Sequence, residues 1–214
     1  MVNANITIAC LLLKVKFSGG KNCGNIEVMK DDKKPKVAAR RIVFESKKFL
    51  VLEKDMEFAS GERETWEVVE QKGNGGSRVL ALTDRKELIF VREYRGAAEK
   101  YVLRIPIGVI EDGEDPKDAA RRELEEETGF VAKRIEPLGV LESTSGYYRG
   151  TPIHLFLATD IQQTGTMRRE PGELGMKVVF IPLGKAFQMV ENVEFEDTQT
   201  VYALLLLKKH LRSS

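Results

Sequence analysis

Residues 108–130 read GVIEDGEDPKDAARRELEEETGF, and we expect this segment to organise the fold around it. It starts at Gly108, reaches Glu114 after five residues, and places the triplet Arg122-Glu123-Leu124 seven residues later. Five glutamates fall within residues 114–127. Like charges at neighbouring helical positions repel one another and destabilise the helix. The segment therefore predicts a bound cation that offsets these carboxylates.

Local signals predict one helix inside the segment. Asp115 suits the N-cap position, Pro116 suits the first helical position, and Gly129 suits the residue that ends a helix. The helix dipole favours negative charge in the first turn but disfavours it in the last turn, where most of these glutamates lie. Tolerance of that arrangement also favours cation binding.

The spacing of Glu123, Glu126 and Glu127 places their carboxylates on one helical face. Hard divalent ions such as Mg²⁺ take oxygen ligands and commonly contact substrate phosphates at the same time. A solvated acidic surface is the usual meaning of a charge run, and Glu125 fits that meaning. It does not explain why a glycine and an arginine stand at set distances from the glutamates.

Composition excludes several broad classes of function. The chain has 214 residues, is 42% hydrophobic and carries a net charge of +1, so it shows no overall bias toward nucleic acid or anionic membranes. Cys10 and Cys23 provide neither a disulfide framework nor metal-ligand spacing, which favours a reducing, cytoplasmic setting. The apolar residues 6–13 are too short to span a bilayer.

Three zones follow along the chain. Residues 1–36 form an extension rich in lysine and glycine that we expect to be flexible or loosely packed. Residues 37–77 alternate apolar and polar residues in short runs, which predicts a small antiparallel β subdomain. Residues 78–214 predict a mixed domain, with strands at 79–82, 87–94, 101–107, 138–143, 153–159 and 177–182 and helices at 184–192 and 197–211.

The 108–130 segment resembles a complete Nudix box at every specified position of that signature. The resemblance implies the α/β (α+β) class, with a mixed sheet between helices in an α/β/α sandwich, plus the small N-terminal antiparallel β domain. It also implies hydrolysis of a nucleoside diphosphate linked to another moiety, using a divalent metal held by the box glutamates.

Two further segments, FVREYR at 90–95 and DTQTVYALL at 197–205, resemble the ADP-ribose pyrophosphatase branch of that family. This implies cleavage of ADP-ribose to AMP and ribose 5-phosphate with Mg²⁺, or with Mn²⁺ in its place. It further implies a homodimer built by the N-terminal β domain, which helps to form the partner's site. Another nucleotide sugar such as GDP-mannose is the alternative substrate, and a non-catalytic module that senses ADP-ribose ranks below it.

The resemblance assigns roles within the box. The positions that correspond to metal ligands are Glu123, Glu126, Glu127 and the carbonyl of Ile107. The expected catalytic residues include Glu127 and Arg122. We expect Arg122 to orient the glutamates by pairing with Glu114. Gly108 lets the chain bend beside the substrate, and Gly129 completes the structural positions of the box, together with Gly108 and Glu114.

A general base is implied beyond the box, in the segment TGTMRREPGELGMKVVFIP at residues 164–182. This segment resembles the mobile catalytic loop of the family. Glu173 is the first choice and Glu170 the second, since either carboxylate could take a proton from the attacking water. A solvated loop glutamate is the alternative for each residue taken singly.

Substrate-binding residues are implied outside the box. Trp66 resembles a tryptophan that stacks on adenine, Phe49 resembles a second aromatic that covers the other ring face, and Arg95 matches a basic position that meets phosphate. The alternatives are a place in the core of the β subdomain for the two aromatics, and an exposed strand-end charge for Arg95.

Two positions depart from the family pattern. Arg104 stands two residues before the proline that precedes the box, where relatives usually have glutamate; it could place a cation near the metals or point outward. Thr144-Ser145-Gly146 replaces a Ser-Pro-Gly segment, and Pro152 lies further downstream. That proline is a mark of ADP-ribose specificity, so its displacement bears on the substrate and not on the reaction class.

Overall fold

The computed structural model describes residues 34–142, 144–165, 167–168 and 175–213. Within these residues the chain forms two mixed sheets and three helices, which confirms the predicted fold class. Residues 1–33 of the predicted extension lie outside the described residues. The division of the chain into three zones stays a prediction.

The first sheet is built from the N-terminal strands. β1 (Lys36–Glu45), β2 (Phe49–Glu57) and β3 (Arg63–Gln71) pair antiparallel in sequence order, as the alternating pattern predicts. A short later strand, Tyr148–Arg149, adds to β3 in parallel and makes the sheet mixed. This late strand ties the first sheet to the rest of the chain.

The second sheet has seven strands, and its main path places residues 76–82 at the centre. The strands are β4 (Gly76–Leu82), β5 (Glu87–Arg95), β6 (Lys100–Arg104), β7 (Ile107–Val109), β8 (Phe130–Leu141), β10 (Ile153–Gln163) and β11 (Lys177–Pro182), with β9 being Tyr148–Arg149 of the first sheet. The order along the main path is β11-β5-β4-β10-β8; β6 pairs with β5, and β7 pairs with β4. β4 and β10 run parallel, and the other pairs in this sheet run antiparallel.

Helices cover both faces of the second sheet. The helices are α1 (Pro116–Thr128), α2 (Leu183–Glu191) and α3 (Thr198–Ser213). Alternate residues of β4 and β5 enter different cores: Val79 and Ile89 pack with Leu124 of α1, while Leu80 and Phe90 pack with residues of α2 and α3. This is the period of two expected for a strand that is buried on both faces.

No helix among the described residues is long and apolar enough to cross a membrane.

The ends of α1 follow the local signals in the sequence. The Asp115 side chain accepts a hydrogen bond from the Lys117 backbone N–H at 2.8 Å, and Pro116 occupies the first turn. Gly129 ends the helix with φ 74°, a left-handed conformation that glycine adopts without steric cost. Ser77 of β4 donates to the Pro116 carbonyl at 2.7 Å and so fixes the start of α1 against the sheet.

Two predicted strand boundaries were wrong. The strand predicted at 101–107 is two strands, because the chain leaves β5 after Arg104 and joins β4 at Ile107. Pro106 lies in the break, where it lacks the N–H that a ladder needs but accepts a hydrogen bond from Val79 at 3.1 Å. The strand predicted at 138–143 begins already at Phe130, directly after the glycine that ends α1.

Candidate active site

A cleft of about 320 Å³ opens where α1, the β6–β7 segment and the end of β3 meet. Charged side chains dominate its lining. They include Glu93, Arg95, Arg104, Glu111, Arg122, Glu123, Glu126, Glu127 and Arg168, with Gln71 and Thr151 at its border. The cleft therefore combines a concave shape with closely spaced charges of both signs, as expected of a site for a polar ligand.

Arg122 connects three carboxylates at one edge of this cleft. Its Nε and Nη2 donate to the two oxygens of Glu114 at 2.9 and 3.0 Å, and its Nη1 donates to Glu123 at 2.6 Å and to Glu126 at 3.1 Å. A further bond reaches the Val109 carbonyl at 3.0 Å. The expected pairing with Glu114 is present. It raises the pKa of the Arg122 guanidinium, with smaller contributions from the other two carboxylates.

Glu123 lies in a nearly closed part of the cleft wall, and only 9% of the residue is exposed. Burial raises the pKa of its carboxyl to about 7, since the contacts with Arg122 only partly offset the loss of water. Gly108 allows this position. A Cβ on Gly108 would stand 1.6 Å from the Oε1 atom of Glu123. The box glycine is therefore needed to make room for a box carboxylate.

Arg104 points into the protein, which excludes the outward orientation left open by the sequence. Only 2% of the residue is exposed, and its guanidinium lies between two carboxylates. Its Nη1 and Nη2 donate to the two oxygens of Glu127 at 3.0 and 2.7 Å, and its Nε donates to Glu93 at 2.6 Å. Burial lowers the pKa of Arg104, but the two carboxylates raise it further, so the net shift is upward.

Glu127 is the most deeply buried of the three predicted metal-binding glutamates, at 1% exposure. Besides its two bonds to Arg104, one of its oxygens accepts from the Ile107 backbone N–H at 3.3 Å. Glu127 thus joins α1 to both sides of the break between β6 and β7. All three glutamates line the cleft, but Glu123 and Glu126 bind Arg122, whereas Glu127 binds Arg104.

The carboxylates of Glu123 and Glu126 have the oxygen chemistry that a hard divalent cation prefers. Both lie in the cleft wall near Gly108, and they converge on the same nitrogen of Arg122. In the part of the chain that the structure describes, no three His, Cys, Asp or Glu side chains approach closely enough to hold a metal ion. In this arrangement Arg104 binds Glu127, while Arg122 bridges Glu123 and Glu126.

The predicted substrate-binding residues fall in two places. Arg95 lines the cleft, with its Nη2 atom 3.4 Å from a Glu93 oxygen and 43% of its side chain exposed. Phe49 and Trp66 lie on the first sheet and are not among the described residues that line the cleft. Trp66 is 39% exposed and contacts Phe58 edge to face, with ring centroids 6.0 Å apart. Neither aromatic is therefore a fully buried core residue.

The predicted general bases, Glu170 and Glu173, lie outside the described residues. The altered segment after the box is partly described: Thr144 forms an isolated bridge with Arg149, and Thr151 reaches the cleft border. The roles assigned to Glu170 and Glu173 stay predictions.

Glu93 and Arg168 are among the cleft residues that the sequence reasoning missed. Glu93 stands two residues before Arg95, so both side chains emerge on the same face of β5, and that spacing could have identified it. Arg168 lines the cleft and donates its backbone N–H to the Glu126 carbonyl at 3.1 Å. Its place depends on a long-range contact between the loop and α1, for which the sequence carries no periodic signal.

Comparison with known proteins extends these observations. The family profile of the NUDIX domain matches residues 74–202. The chain is 32% identical over 180 residues to "ADP-ribose pyrophosphatase" of Bacillus subtilis (strain 168), covering 83% of this chain and 96% of the relative. It is 30% identical over 179 residues to "ADP compounds hydrolase NudE" of Escherichia coli (strain K12), covering 84% and 94%. A solved structure, "Crystal structure of ADP compounds hydrolase", superposes with a TM-score of 0.74 at 29% identity, covering 86% of this chain and 97% of the other.

We predict that Gly108→Ala weakens divalent-metal binding, because the new methyl group would displace the Glu123 carboxylate. A Mn²⁺ titration followed by electron paramagnetic resonance should show affinity roughly 10–100-fold lower. Gly96→Ala is the control, since no atom lies within 4 Å of a Cβ built there. Unchanged Mn²⁺ affinity in Gly108→Ala would contradict the close approach of the two residues.

We also predict that the metal-free protein loses stability as the pH rises from about 5 to about 8. The pKa of the Glu123 carboxyl is about 7 in the folded chain and 4.5 in the unfolded chain. Between these two pH values the folded chain therefore binds one more proton than the unfolded chain. The free energy of unfolding should fall through this window by up to roughly 3 kcal/mol. Urea titrations in a chelator should show this fall in the wild type and a smaller one in Glu123→Gln; equal pH dependence in the two proteins would refute the assignment.

Proposed function

Because the chain belongs to the Nudix family, we propose that it hydrolyses the diphosphate linkage of ADP-ribose with Mg²⁺, giving AMP and ribose 5-phosphate. The family profile and the two relatives identify a Nudix hydrolase that resembles the ADP-ribose pyrophosphatase branch. The observation that carries the proposal is the cleft, where Glu123 and Glu126 face the same opening as Arg95.

The charges in the cleft suit a diphosphate. Such a linkage presents several anionic oxygens, which repel an incoming water molecule, and rate enhancement requires positioning and charge compensation. Arg95 is half-exposed at the cleft and has donors that fit phosphate oxygens. In this proposal Arg95 binds the phosphates while the glutamates recruit the cation.

Nudix hydrolases generally use a divalent metal. We assign Glu123 and Glu126 as side-chain ligands and the carbonyl of Ile107 as a backbone ligand, while Glu127 as a ligand stays a prediction. A bound Mg²⁺ would neutralise phosphate charge and activate water. Arg122 is itself bound by Glu114, and it holds Glu123 and Glu126 in place by donating hydrogen bonds to both. Glu173, or Glu170, is proposed to accept the proton from the attacking water.

The choice of substrate rests on the relatives. Two of them are named for ADP-ribose and for ADP compounds, which supports an adenine nucleotide over GDP-mannose. The departure at Thr144-Ser145-Gly146 keeps GDP-mannose as the second candidate. A purely sensing module is disfavoured because every box glutamate is retained. The proposed setting is cytoplasmic, as the cysteine content predicts.

A homodimer is part of the proposal. Every residue of the edge strand β1 is exposed in the single chain, including Ile42, Val43 and Phe44 at 59–61%. Long exposed apolar edges favour association, because their backbone groups and side chains lack a covering element. Trp66 is not among the described residues that line its own cleft, and we propose that it contributes to the partner's cleft, as the resemblance implies for this sheet.

The proposed reaction is tested with a panel of ADP-ribose, GDP-mannose, NADH and diadenosine polyphosphates, each with Mg²⁺ or with a chelator. We predict Mg²⁺-dependent release of AMP, with ADP-ribose giving the highest kcat/KM. Glu123→Gln should lower kcat by about a thousandfold or more, because it removes a charged metal ligand. Circular dichroism checks that this variant is folded. Absence of turnover on the whole panel would contradict the enzyme assignment.

Trp66→Ala should raise KM for ADP-ribose roughly tenfold with little change in kcat, because stacking on a base contributes equally to the ground state and the transition state. Steady-state kinetics measure both constants. Tyr202→Ala is a matched control, since Tyr202 has the same 39% exposure but lies on α3.

Mixed dimers distinguish a contribution in trans from one within the chain. Trp66→Ala and Glu123→Gln chains, co-expressed with different tags, would form one complete site that has Glu123 from one chain and Trp66 from the other. We expect that site to recover the wild-type KM. If Trp66 served its own chain, the mixed dimer would keep the raised KM of the Trp66→Ala protein. A wild-type KM in the Trp66→Ala protein itself would exclude base stacking.

A further inference from the structure

The contacts of Arg104 bear on the number of metal ions that the cleft can hold. All three nitrogen atoms of its guanidinium contact groups within the protein. Nε and Nη2 each lie 2.6 Å from a Glu93 oxygen, Nη1 reaches the Ile105 carbonyl at 3.1 Å, and Nη1 and Nη2 also bind Glu127. The residue borders the cleft, yet each guanidinium nitrogen donates to an acceptor within the protein. Arg104 therefore differs in kind from Arg95.

The buried guanidinium of Arg104 also places one fixed positive charge beside the box glutamates. Replacement of this guanidinium by a carboxylate would change the local charge by two units, the charge of one divalent cation. The guanidinium is buried, so its field acts on neighbouring groups with little screening by water. A second metal ion beside Glu127 would have to displace Arg104 or share the Glu127 carboxylate with Arg104.

We propose that Arg104 takes the place of one divalent cation in this protein. The inference rests on the proposed function, since it concerns the metal content of the same site. In this arrangement Glu127 is a positioning residue that binds Arg104 and the Ile107 N–H, in place of the metal-ligand role that the resemblance implies. Glu123 and Glu126 then supply the side-chain ligands. The chain then works with one metal ion fewer than a variant that carries glutamate at 104.

Glu127 supports this assignment through its geometry. Its two oxygens are directed at the guanidinium in a forked pair, and the Ile107 N–H takes a further position on one of them. A bidentate pair of this kind fixes both direction and distance. The pair holds Ile107 and Gly108 against α1, which sets the backbone beside Glu123.

The test counts Mn²⁺ ions bound per chain by electron paramagnetic resonance, with metal alone and no substrate. We expect Arg104→Glu to bind one more Mn²⁺ than the wild type, and Arg104→Gln to bind its ions roughly tenfold more tightly than the wild type. Arg95→Gln is the matched control, because it removes a cleft arginine that contacts Glu93 but not Glu127. Its Mn²⁺ count should equal that of the wild type.

A second pair of variants tests the role of Glu127 on the same helix. Glu127→Gln should keep the wild-type Mn²⁺ count, whereas Glu123→Gln should lose an ion. This pair also carries the test if Arg104→Glu fails to fold, since glutamine preserves the shape of the side chain. Loss of an ion in Glu127→Gln, as in Glu123→Gln, would overturn the assignment.

The outcomes separate the two proposals. Equal Mn²⁺ counts in the wild type and folded Arg104→Glu, together with Mg²⁺-dependent turnover by the wild type, would overturn the role of Arg104 and leave the reaction standing. Absence of Mn²⁺ binding and of turnover in the wild type would overturn both.

Discussion

The structure depends on the electrostatic compensation of a glutamate-rich helix face. α1 places Glu123, Glu126 and Glu127 together near its C-terminal end, where the helix dipole is unfavourable for anions. Two arginines on different segments offset this charge: Arg122 from the helix itself, and Arg104 from the neighbouring strand. Removal of one partner from such a buried pair leaves an uncompensated charge, which costs about 3–5 kcal/mol. The arrangement of the cleft follows from these two sets of contacts.

The same contacts explain why the second sheet is interrupted beside the cleft. The chain leaves β5 after Arg104 and joins β4 at Ile107, and Glu127 binds both residues that flank this break. Gly108 follows at once and allows the Glu123 carboxylate to lie against the backbone. A continuous strand would carry the chain past α1 without this close approach. The break thus places the carboxylates of Glu123 and Glu126 and the guanidinium of Arg95 around one opening.

Local features of this site were predictable from sequence, because they depend on neighbouring residues. The caps at Asp115 and Gly129 and the shared glutamate face follow from helical geometry over short separations. The pairing of Arg122 with Glu114 was expected from the family resemblance and is present. The sequence could not show the direction of Arg104, since an arginine at a strand end can face either side. The spacing of Glu93 and Arg95 could have placed Glu93 on the cleft face, but its pairing with Arg104 depends on the register between β5 and β6, which is a tertiary property. Trp66 lies on a separate sheet, so its relation to the cleft depends on how chains assemble.

The central claim is that Glu123 and Glu126 form a divalent-metal site whose third glutamate is held by Arg104. The most direct measurement is the anomalous scattering of crystals of this protein soaked in Mn²⁺. The account predicts a peak within coordination distance of Glu123 and Glu126, with the pair between Arg104 and Glu127 intact. A peak coordinated by Glu127 with Arg104 displaced, or no peak at the box glutamates, would contradict it.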